Sequence, residues 1–139
     1  MPINSRAKGA AGERECAEAL RQIMGWEGVR RAQQFNGNAG DADLVIPQLP
    51  AIFPEVKRVQ KLNVPEAMDK AVEQCRGKCP VLFHRTNRAR NGWLVTVRLT
   101  DLEKVAKFIA IASKFSRQGQ SEVPLPSGST SYPSQGSGE

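Results

Sequence analysis

Two acidic residues and a lysine in the middle of the chain have the types and spacing of a metal-dependent catalytic site. Glu55 and Lys57 flank Val56, and because side chains alternate along a β-strand, both would project from the same face. Asp43 lies twelve residues before Glu55, between a glycine-rich loop and a short apolar run. Such a group could carry out metal-assisted hydrolysis. A turn aspartate and a surface Glu–Lys pair are the structural alternatives.

Glu13 is an acidic residue on the apolar side of a predicted helix. It precedes five apolar residues at helical spacing, so it belongs to the stripe that faces the core. Those residues are Cys16, Ala17, Leu20, Ile23 and Met24. A carboxylate in that stripe needs a reason, because burying an unpaired charge is costly. The alternative is an exposed glutamate in the first turn that complements the helix dipole.

The three carboxylates together predict a site for a hard cation. Asp43 and Glu55 would meet if their strands are adjacent, and Glu13 can reach them if its helix packs on the same sheet. Three carboxylates supply the oxygen ligands preferred by Mg²⁺, for which Mn²⁺ can substitute. Asp41 competes with Asp43 for this role, and Asp43 is preferred because it directly precedes the apolar run.

Apolar periodicity and turn residues predict eight elements in the order α-β-β-β-α-β-β-α. The first helix ends near Met24, before Gly25, and the second begins at Asn63, which with Glu66 resembles a capping box. The last helix ends near Lys114. The predicted strands are residues 29–35, 43–46, 52–57, 81–83 and 93–99, with a basic loop at 84–92. This order favours an α/β fold with one mixed sheet flanked by helices.

The sequence makes a specific prediction for the last strand and for the third strand. Trp93, Val95, Val97 and Leu99 alternate with other residues, which predicts one buried face. Pro54 lies inside the third strand, and because proline lacks an N–H it predicts a bulge or an edge position there.

Composition divides the chain into two parts. Residues 1–115 are predicted to form one domain, and residues 116–139, rich in Ser, Gly, Pro and Gln, are predicted to be a disordered tail. The chain carries a net charge of +6, and the tail holds one arginine and two glutamates, so residues 1–115 carry +7. This charge favours a polyanionic partner. Three cysteines form no disulfide framework, and no signal peptide or membrane segment is visible, so we expect a cytoplasmic protein.

Four stretches resemble the PD-(D/E)XK nucleases, and within them the archaeal-type Holliday junction resolvases and their phage relatives. The stretches are KGAAGERECAEAL, RRAQQFNGNAGDADLV, PEVKRVQK and CPVLFHR with the later GWLVTV. They span about residues 8–100. The resemblance implies a restriction-endonuclease-like mixed sheet flanked by helices. It also implies metal-dependent hydrolysis of phosphodiester bonds in four-way DNA junctions by a homodimer, in which each subunit nicks one strand.

The resemblance also implies roles for individual residues. Glu13, Asp43, Glu55 and Val56 would bind the metal. Lys57 would orient the attacking water and stabilise the developing charge. Arg14, and Arg30 or Arg31, resemble the family's contacts with DNA phosphates.

Basic residues around these positions form the predicted DNA-binding set. Seven of them cluster in sequence near the candidate site, and three decorate the predicted loop at 84–92. They are Arg6, Lys8, Arg14, Arg30, Arg31, Arg58 and Lys61, followed by Arg85, Arg88 and Arg90. The loop is equally compatible with an ordinary solvated hairpin. DNA of branched shape is the expected partner, because no recognition helix or zinc finger is visible.

Two other functions remain compatible with the sequence. One is a different DNA nuclease with the same site, such as a nicking, restriction-like or exonuclease enzyme. The other is a non-catalytic basic DNA-binding module whose acidic residues are structural. A nuclease would cleave DNA in a metal-dependent way, whereas a non-catalytic DNA-binding module would not.

Overall fold

The computed structural model describes residues 5–32, 41–88 and 90–117, and it has a mixed α/β fold. Its elements follow the predicted order, with a short 3-10 turn added before the last helix. They are α1 (Ser5–Met24), β1 (Arg30–Arg31), β2 (Leu44–Val45), β3 (Ile52–Arg58), α2 (Val64–Gln74), β4 (Cys79–Arg85), β5 (Leu94–Val97), the 3-10 turn Leu99–Asp101 and α3 (Leu102–Arg117). Within these ranges no helix is long and apolar enough to cross a membrane.

Helix α1 begins earlier than the sequence suggested and ends where it was predicted to end. It starts at Ser5 and continues through Gly9 and Gly12, two residues that usually weaken a helix. Its last turn closes at Gly25, whose N–H donates to the Arg21 carbonyl at 3.0 Å. Gly25 has a φ of +69°, the left-handed conformation that commonly terminates helices.

The strands form two small sheets instead of the single sheet that was predicted. In one, β1 pairs with β2 in antiparallel fashion, and in the other β4 lies between β3, which is parallel to it, and β5, which is antiparallel. A hydrogen bond of 3.1 Å from the Asp43 N–H to the Pro54 carbonyl links the two sheets. The predicted strand at 29–35 is reduced to Arg30–Arg31 in the described part, and residues 33–40 lie outside it.

Pro54 occupies an edge position, as its chemistry required. Its carbonyl accepts the Asp43 N–H, so this side of Pro54 faces β2 and not β4. The N–H and C=O of a strand residue point the same way, so the missing Pro54 donor removes no bond from the β3–β4 ladder. The strand keeps its parallel register with β4, in which Pro54 lies opposite Val81.

Helix α2 is the crossover that allows β3 and β4 to run parallel. Asn63 caps it by accepting the Glu66 N–H at 3.1 Å, and Pro65 lies in the first turn, both as predicted. The Glu66 side chain pairs with Lys70 at 3.6 Å, so the capping box lacks its reciprocal half.

The helices lie on both faces of the β3–β4–β5 sheet. The larger core contains residues of α1, α3 and one face of the sheet, including Cys16, Val56, Phe83 and Ala112. The smaller core places Ala67, Met68 and Ala71 of α2 against Leu82 on the opposite face. Since Leu82 alternates with Phe83 on β4, the strand is buried from both sides.

Two predictions at the end of the domain were wrong. His84 and Arg85 belong to β4 and not to the basic loop. Val95 and Leu99 are 59% and 83% exposed, although they were predicted to be buried with Trp93 and Val97. The chain leaves the strand after Val97 and turns, so the alternation does not reach Leu99.

Helix α3 ends at Arg117 and not near Lys114. It therefore continues two residues into the segment that composition assigned to the tail. The division into a domain at 1–115 and a disordered tail at 116–139 stays a prediction, because residues 118–139 lie outside the described residues.

Candidate active site

Asp43 lies at a bend just before β2 and bonds to strands on both sides. Its N–H donates to Pro54 of β3, whereas its carbonyl accepts the Ala32 N–H at 2.9 Å, next to β1. Its side-chain Oδ2 accepts the Val56 N–H at 2.8 Å. The carboxylate thus takes the place of a main-chain partner along the open edge of β3, which holds it beside the Glu55–Val56–Lys57 segment.

Asp43 and Glu55 are two partly buried carboxyl groups that repel each other. Burial and then the charge of Asp43 raise the pKa of Glu55 to about 8. Burial raises the pKa of Asp43 to about 6; the Val56 N–H opposes this rise, and the charge of Glu13 adds to it. Carboxyl groups with pKa values this far above the ordinary range are common at functional sites.

Glu13 faces the interior, as its helical position predicted. Its side chain is 13% exposed, and its Oε1 accepts a hydrogen bond of 2.6 Å from the Arg31 Nε. The charge of Glu13 raises the pKa of both Asp43 and Glu55. Helix α1, β1 and β3 therefore contribute acidic or basic groups to the same small region.

Lys57 supplies positive charge to this group. Its ammonium lowers the pKa of both Asp43 and Glu55, in opposition to the effect of burial. The four predicted catalytic residues are thus brought together, and Arg31, predicted as a DNA contact, joins them through Glu13. Asp41 is not among the charges that shift the pKa of Asp43 or Glu55, which favours Asp43 as the ligand of the two.

The donor set suits a hard divalent cation. A cation would relieve the cost of two enclosed, mutually repelling carboxylates, and oxygen is the donor that Mg²⁺ and Mn²⁺ prefer. The Val56 carbonyl faces the same side of β3 as its N–H, which bonds to Asp43. As the side chains stand, no three His, Cys, Asp or Glu residues in the described ranges are close enough together to hold a metal.

Apart from Arg31, which pairs with Glu13, the predicted DNA contacts fall into three groups. Arg14, Arg30, Lys61, Arg88 and Arg90 are exposed. The side chains of Arg6 and Lys8 lie outside the described residues, although both positions are within α1. Arg58 and Arg85 are more enclosed, with 30% and 19% of their side chains exposed. The role of all these residues in DNA binding stays a prediction.

Glu15 is a residue of this region that the sequence did not single out. It pairs with Arg58 at 3.6 Å and with Arg85 at 3.2 Å. Arg85 in turn lies 6.0 Å from the centre of the Trp93 ring. No local pattern marks Glu15, because its partners come together only through the register of β3 with β4, in which Arg58 lies opposite Arg85.

His84 is a second such residue. It lies opposite Lys57 in the β3–β4 register, and its Nε2 is 2.7 Å from the Thr96 Oγ1. The sequence analysis missed this position because it assigned His84 to a loop and not to β4.

Comparison with protein-family models, with curated proteins and with solved structures found no match to this chain.

Proposed function

We propose that this protein is a metal-dependent endodeoxyribonuclease of the PD-(D/E)XK type that resolves four-way DNA junctions. The observation that carries the proposal is the convergence of Glu13, Asp43, Glu55 and Lys57, from three separate segments, into one electrostatically coupled group. The order of helices and strands supports a restriction-endonuclease-like topology as part of the same proposal.

Glu13, Asp43, Glu55 and the Val56 carbonyl would hold Mg²⁺ or Mn²⁺ in this enzyme. The bound ion would lower the pKa of water and neutralise charge on the scissile phosphate. Lys57, on the same face of β3 as Glu55, orients the attacking water and stabilises charge on the phosphate oxygens. Water adds to phosphorus as the bond to the 3′ oxygen breaks, which leaves a 5′-phosphate and a 3′-hydroxyl.

Arg31 has a supporting role in the proposed site. Its guanidinium neutralises Glu13, and its charge lowers the pKa of Asp43. It thereby keeps the Asp43 carboxyl closer to its ionised form, which is the form that binds a cation.

Charge and surface composition support the proposed partners. Residues 1–115 carry a net +7, and exposed arginines border the acidic group, so contacts with the DNA backbone would dominate binding. A homodimer acting in the cytoplasm is part of the proposal.

Cleavage of a mobile four-way DNA junction tests the proposal. With Mg²⁺, we expect the wild type to nick opposing strands, and Glu55→Ala and Asp43→Ala to lose at least about 10²-fold in rate. Both variants should still bind the junction when the metal is chelated. Glu73→Ala, which removes an exposed carboxylate from α2, is the matched control and should cut normally. Cleavage by both site variants at the wild-type rate would refute the assignment.

The same assay addresses the substrate. A panel of linear duplex, flap, end-labelled and four-way DNA separates junction resolution from nicking, restriction-like or exonuclease activity. Preference for the junction, with symmetric nicks, is the expected result.

A non-catalytic basic DNA-binding module is the second candidate. The observation that favours it is that two of the acidic residues already have structural contacts: Glu13 pairs with Arg31 at 2.6 Å, and Asp43 accepts the Val56 N–H at 2.8 Å. Such a module would bind DNA without Mg²⁺-dependent cleavage, and neither Asp43 nor Glu55 would affect metal binding measured by calorimetry.

A further inference from the structure

Glu15 joins two arginines that end neighbouring strands. Arg58 is the last residue of β3 and Arg85 the last of β4, and they lie opposite each other in the parallel register. Glu15 reaches them from α1, with its Oε1 3.6 Å from the Arg58 Nη1 and its Oε2 3.2 Å from the Arg85 Nη1. Side chains alternate on β3, so Arg58 projects from the face opposite to Glu55 and Lys57. The three residues therefore form a separate cluster next to the candidate active site.

The cluster has more positive charge and more donors than Glu15 can satisfy. One carboxylate faces two guanidinium groups, each with five N–H donors, so a net charge of +1 remains. In the described part of the chain, the Arg58 Nε, the Trp93 Nε1 and the Glu15 Oε1 are buried without a hydrogen-bond partner. Arg85 uses its Nε to bond the Thr86 carbonyl at 3.1 Å and lies over the Trp93 ring. An anion with several acceptor oxygens would match the remaining positive charge through the exposed parts of the two arginine side chains.

Packing fixes the position of this pair. A Cβ added to Gly12 of α1 would lie only 3.2 Å from the Arg58 Cβ. Helix α1 and the aliphatic part of the Arg58 side chain are therefore in close contact. The side chains of Arg58 and Arg85 nevertheless remain 30% and 19% exposed. A ligand can therefore reach the guanidinium groups, while their stems stay anchored in the fold.

We propose that Arg58 and Arg85 form a second phosphate-binding site for the DNA backbone, and that Glu15 is the positioning residue that holds them. The proposal rests on the proposed function for the identity of the partner. Two guanidinium groups at neighbouring strand ends suit the paired oxygens of a phosphodiester. This site would hold DNA that continues past the candidate active site, around the ends of β3 and β4 and towards the exposed Arg88 and Arg90.

A purely structural role for Glu15 makes the opposite prediction about DNA affinity. Removal of a carboxylate from a basic protein strengthens its attraction to a polyanion if nothing else changes. If Glu15 positions the arginines, its removal weakens binding in spite of the lost negative charge. The sign of the change therefore decides between the two roles.

The experiment measures binding to a labelled four-way junction by fluorescence anisotropy, with the metal chelated, between about 50 and 200 mM salt. We expect Glu15→Gln to raise Kd at least about threefold and to lower the salt slope. Glu18→Gln is the matched control, because Glu18 is exposed on the same helix and pairs with Arg21 instead. This control should leave Kd unchanged or lower it.

Variants of the arginines provide the second measurement. Arg58→Gln and Arg85→Gln should each reduce the salt slope by about one. In the Arg85→Gln background, Glu15→Gln should weaken DNA binding less than it does in the wild type. The reason is that Glu15 has already lost Arg85 as a partner in that background. Thermal melts establish that each variant is folded at the assay temperature. If Glu15→Gln does not fold, the slopes of the arginine variants decide the outcome.

Two results would overturn the second phosphate site. One is tighter binding by folded Glu15→Gln, and the other is an unchanged salt slope in both arginine variants. Either result in a protein that cuts the junction would leave the proposed nuclease intact. Conversely, a wild type that binds DNA but never cuts it would refute the nuclease, and the binding measurements would still test this site.

Discussion

At the scale of single residues, the most unusual groups in the molecule are the carboxyls of Asp43 and Glu55. Burial is the main cause that raises the pKa of Asp43 to about 6 and that of Glu55 to about 8; the charge of Glu13 adds to both rises, and the charge of Asp43 adds to that of Glu55. A raised pKa means that the folded protein binds the proton more tightly than the unfolded chain does. At low pH each carboxyl is protonated in both the folded and the unfolded state, so its burial carries no ionisation penalty. At higher pH its ionisation lowers the free energy of unfolding.

Stability of the metal-free protein should fall as pH rises. For Glu55 the loss begins near its ordinary pKa of 4.5 and is complete above about 8, the raised pKa. Glu55→Gln cannot ionise, so in the presence of a chelator it should be more stable than the wild type near pH 9, by on the order of 2 kcal/mol after solvent screening. Denaturant melts at several pH values measure the difference.

The control for this pH series is Glu73→Gln, which changes an exposed residue of α2. Its stability should follow the wild-type curve. Equal pH dependence in the wild type and Glu55→Gln would show that the Glu55 carboxyl ionises as easily in the folded protein as in the unfolded chain.

At the scale of elements, the packing of α1 on β3 determines where Glu13 lies. Gly12 permits the close approach, since a Cβ there would meet the Arg58 Cβ at 3.2 Å. The Arg58 Cβ is attached directly to the β3 main chain, so it cannot rotate away as the end of a long side chain can. Gly9, one turn earlier on the same helix, provides a natural comparison, because a Cβ added there would meet no atom within 4 Å.

The two glycines should respond differently to alanine. Gly9→Ala should stabilise the protein by about 0.5–1 kcal/mol, the ordinary helix gain. Gly12→Ala must shift α1 by a few tenths of an ångström, so we expect it to be less stable than Gly9→Ala by about 1 kcal/mol or more. It should also cut DNA more slowly, because Glu13 moves with the helix. Denaturant melts and the junction assay check both effects, and equal gains for the two variants would contradict the close approach.

The order of elements was predictable because it depends on local patterns. The cap at Asn63 and the stop at Gly25 were visible in sequence for the same reason. The start of α1 was not, because Gly9 and Gly12 weaken the local preference for a helix that tertiary packing stabilises. The exposure of Val95 was also missed, since strand alternation says nothing about whether a neighbouring element covers the face.

At the scale of the whole molecule, positive charge surrounds a small acidic centre. The chain has a net charge of +6, whereas Glu13, Asp43 and Glu55 bring three carboxyl groups into one small region. The net positive charge would attract a polyanion over long distances. The carboxyls of Asp43 and Glu55, once ionised, would repel the same polyanion unless a cation lies between them.

Salt should therefore control binding to DNA. If six or more phosphates are contacted, affinity for a four-way junction should fall by roughly 10³-fold or more between 50 and 200 mM salt. Adding Mg²⁺ at constant ionic strength should improve binding by the wild type more than by Asp43→Asn. Anisotropy titrations measure both effects, and an affinity that is insensitive to salt would contradict backbone recognition.

The grouping of Glu13, Asp43, Glu55 and Lys57 could be predicted from sequence, because these residues stand out against their local patterns; their catalytic role stays a prediction. Glu13 interrupts an apolar stripe, and Glu55 and Lys57 share one face of a strand. The partners of these residues could not be found in that way. Arg31 meets Glu13, and Glu15 meets Arg58 and Arg85, only after helices and strands have packed.

Pro54 has a consequence for how the centre of the molecule could be altered. Because Pro54 has no N–H, the carbonyl bond from Asp43 is its main-chain link on the side that faces β2. Two residues further on, the Val56 N–H bonds to the Asp43 side chain instead of a neighbouring strand. A residue with an ordinary amide in place of Pro54 would add a donor facing the Asp43 segment, whose carbonyl already accepts the Ala32 N–H, so the new donor would compete with β1 for that oxygen or stay without a partner.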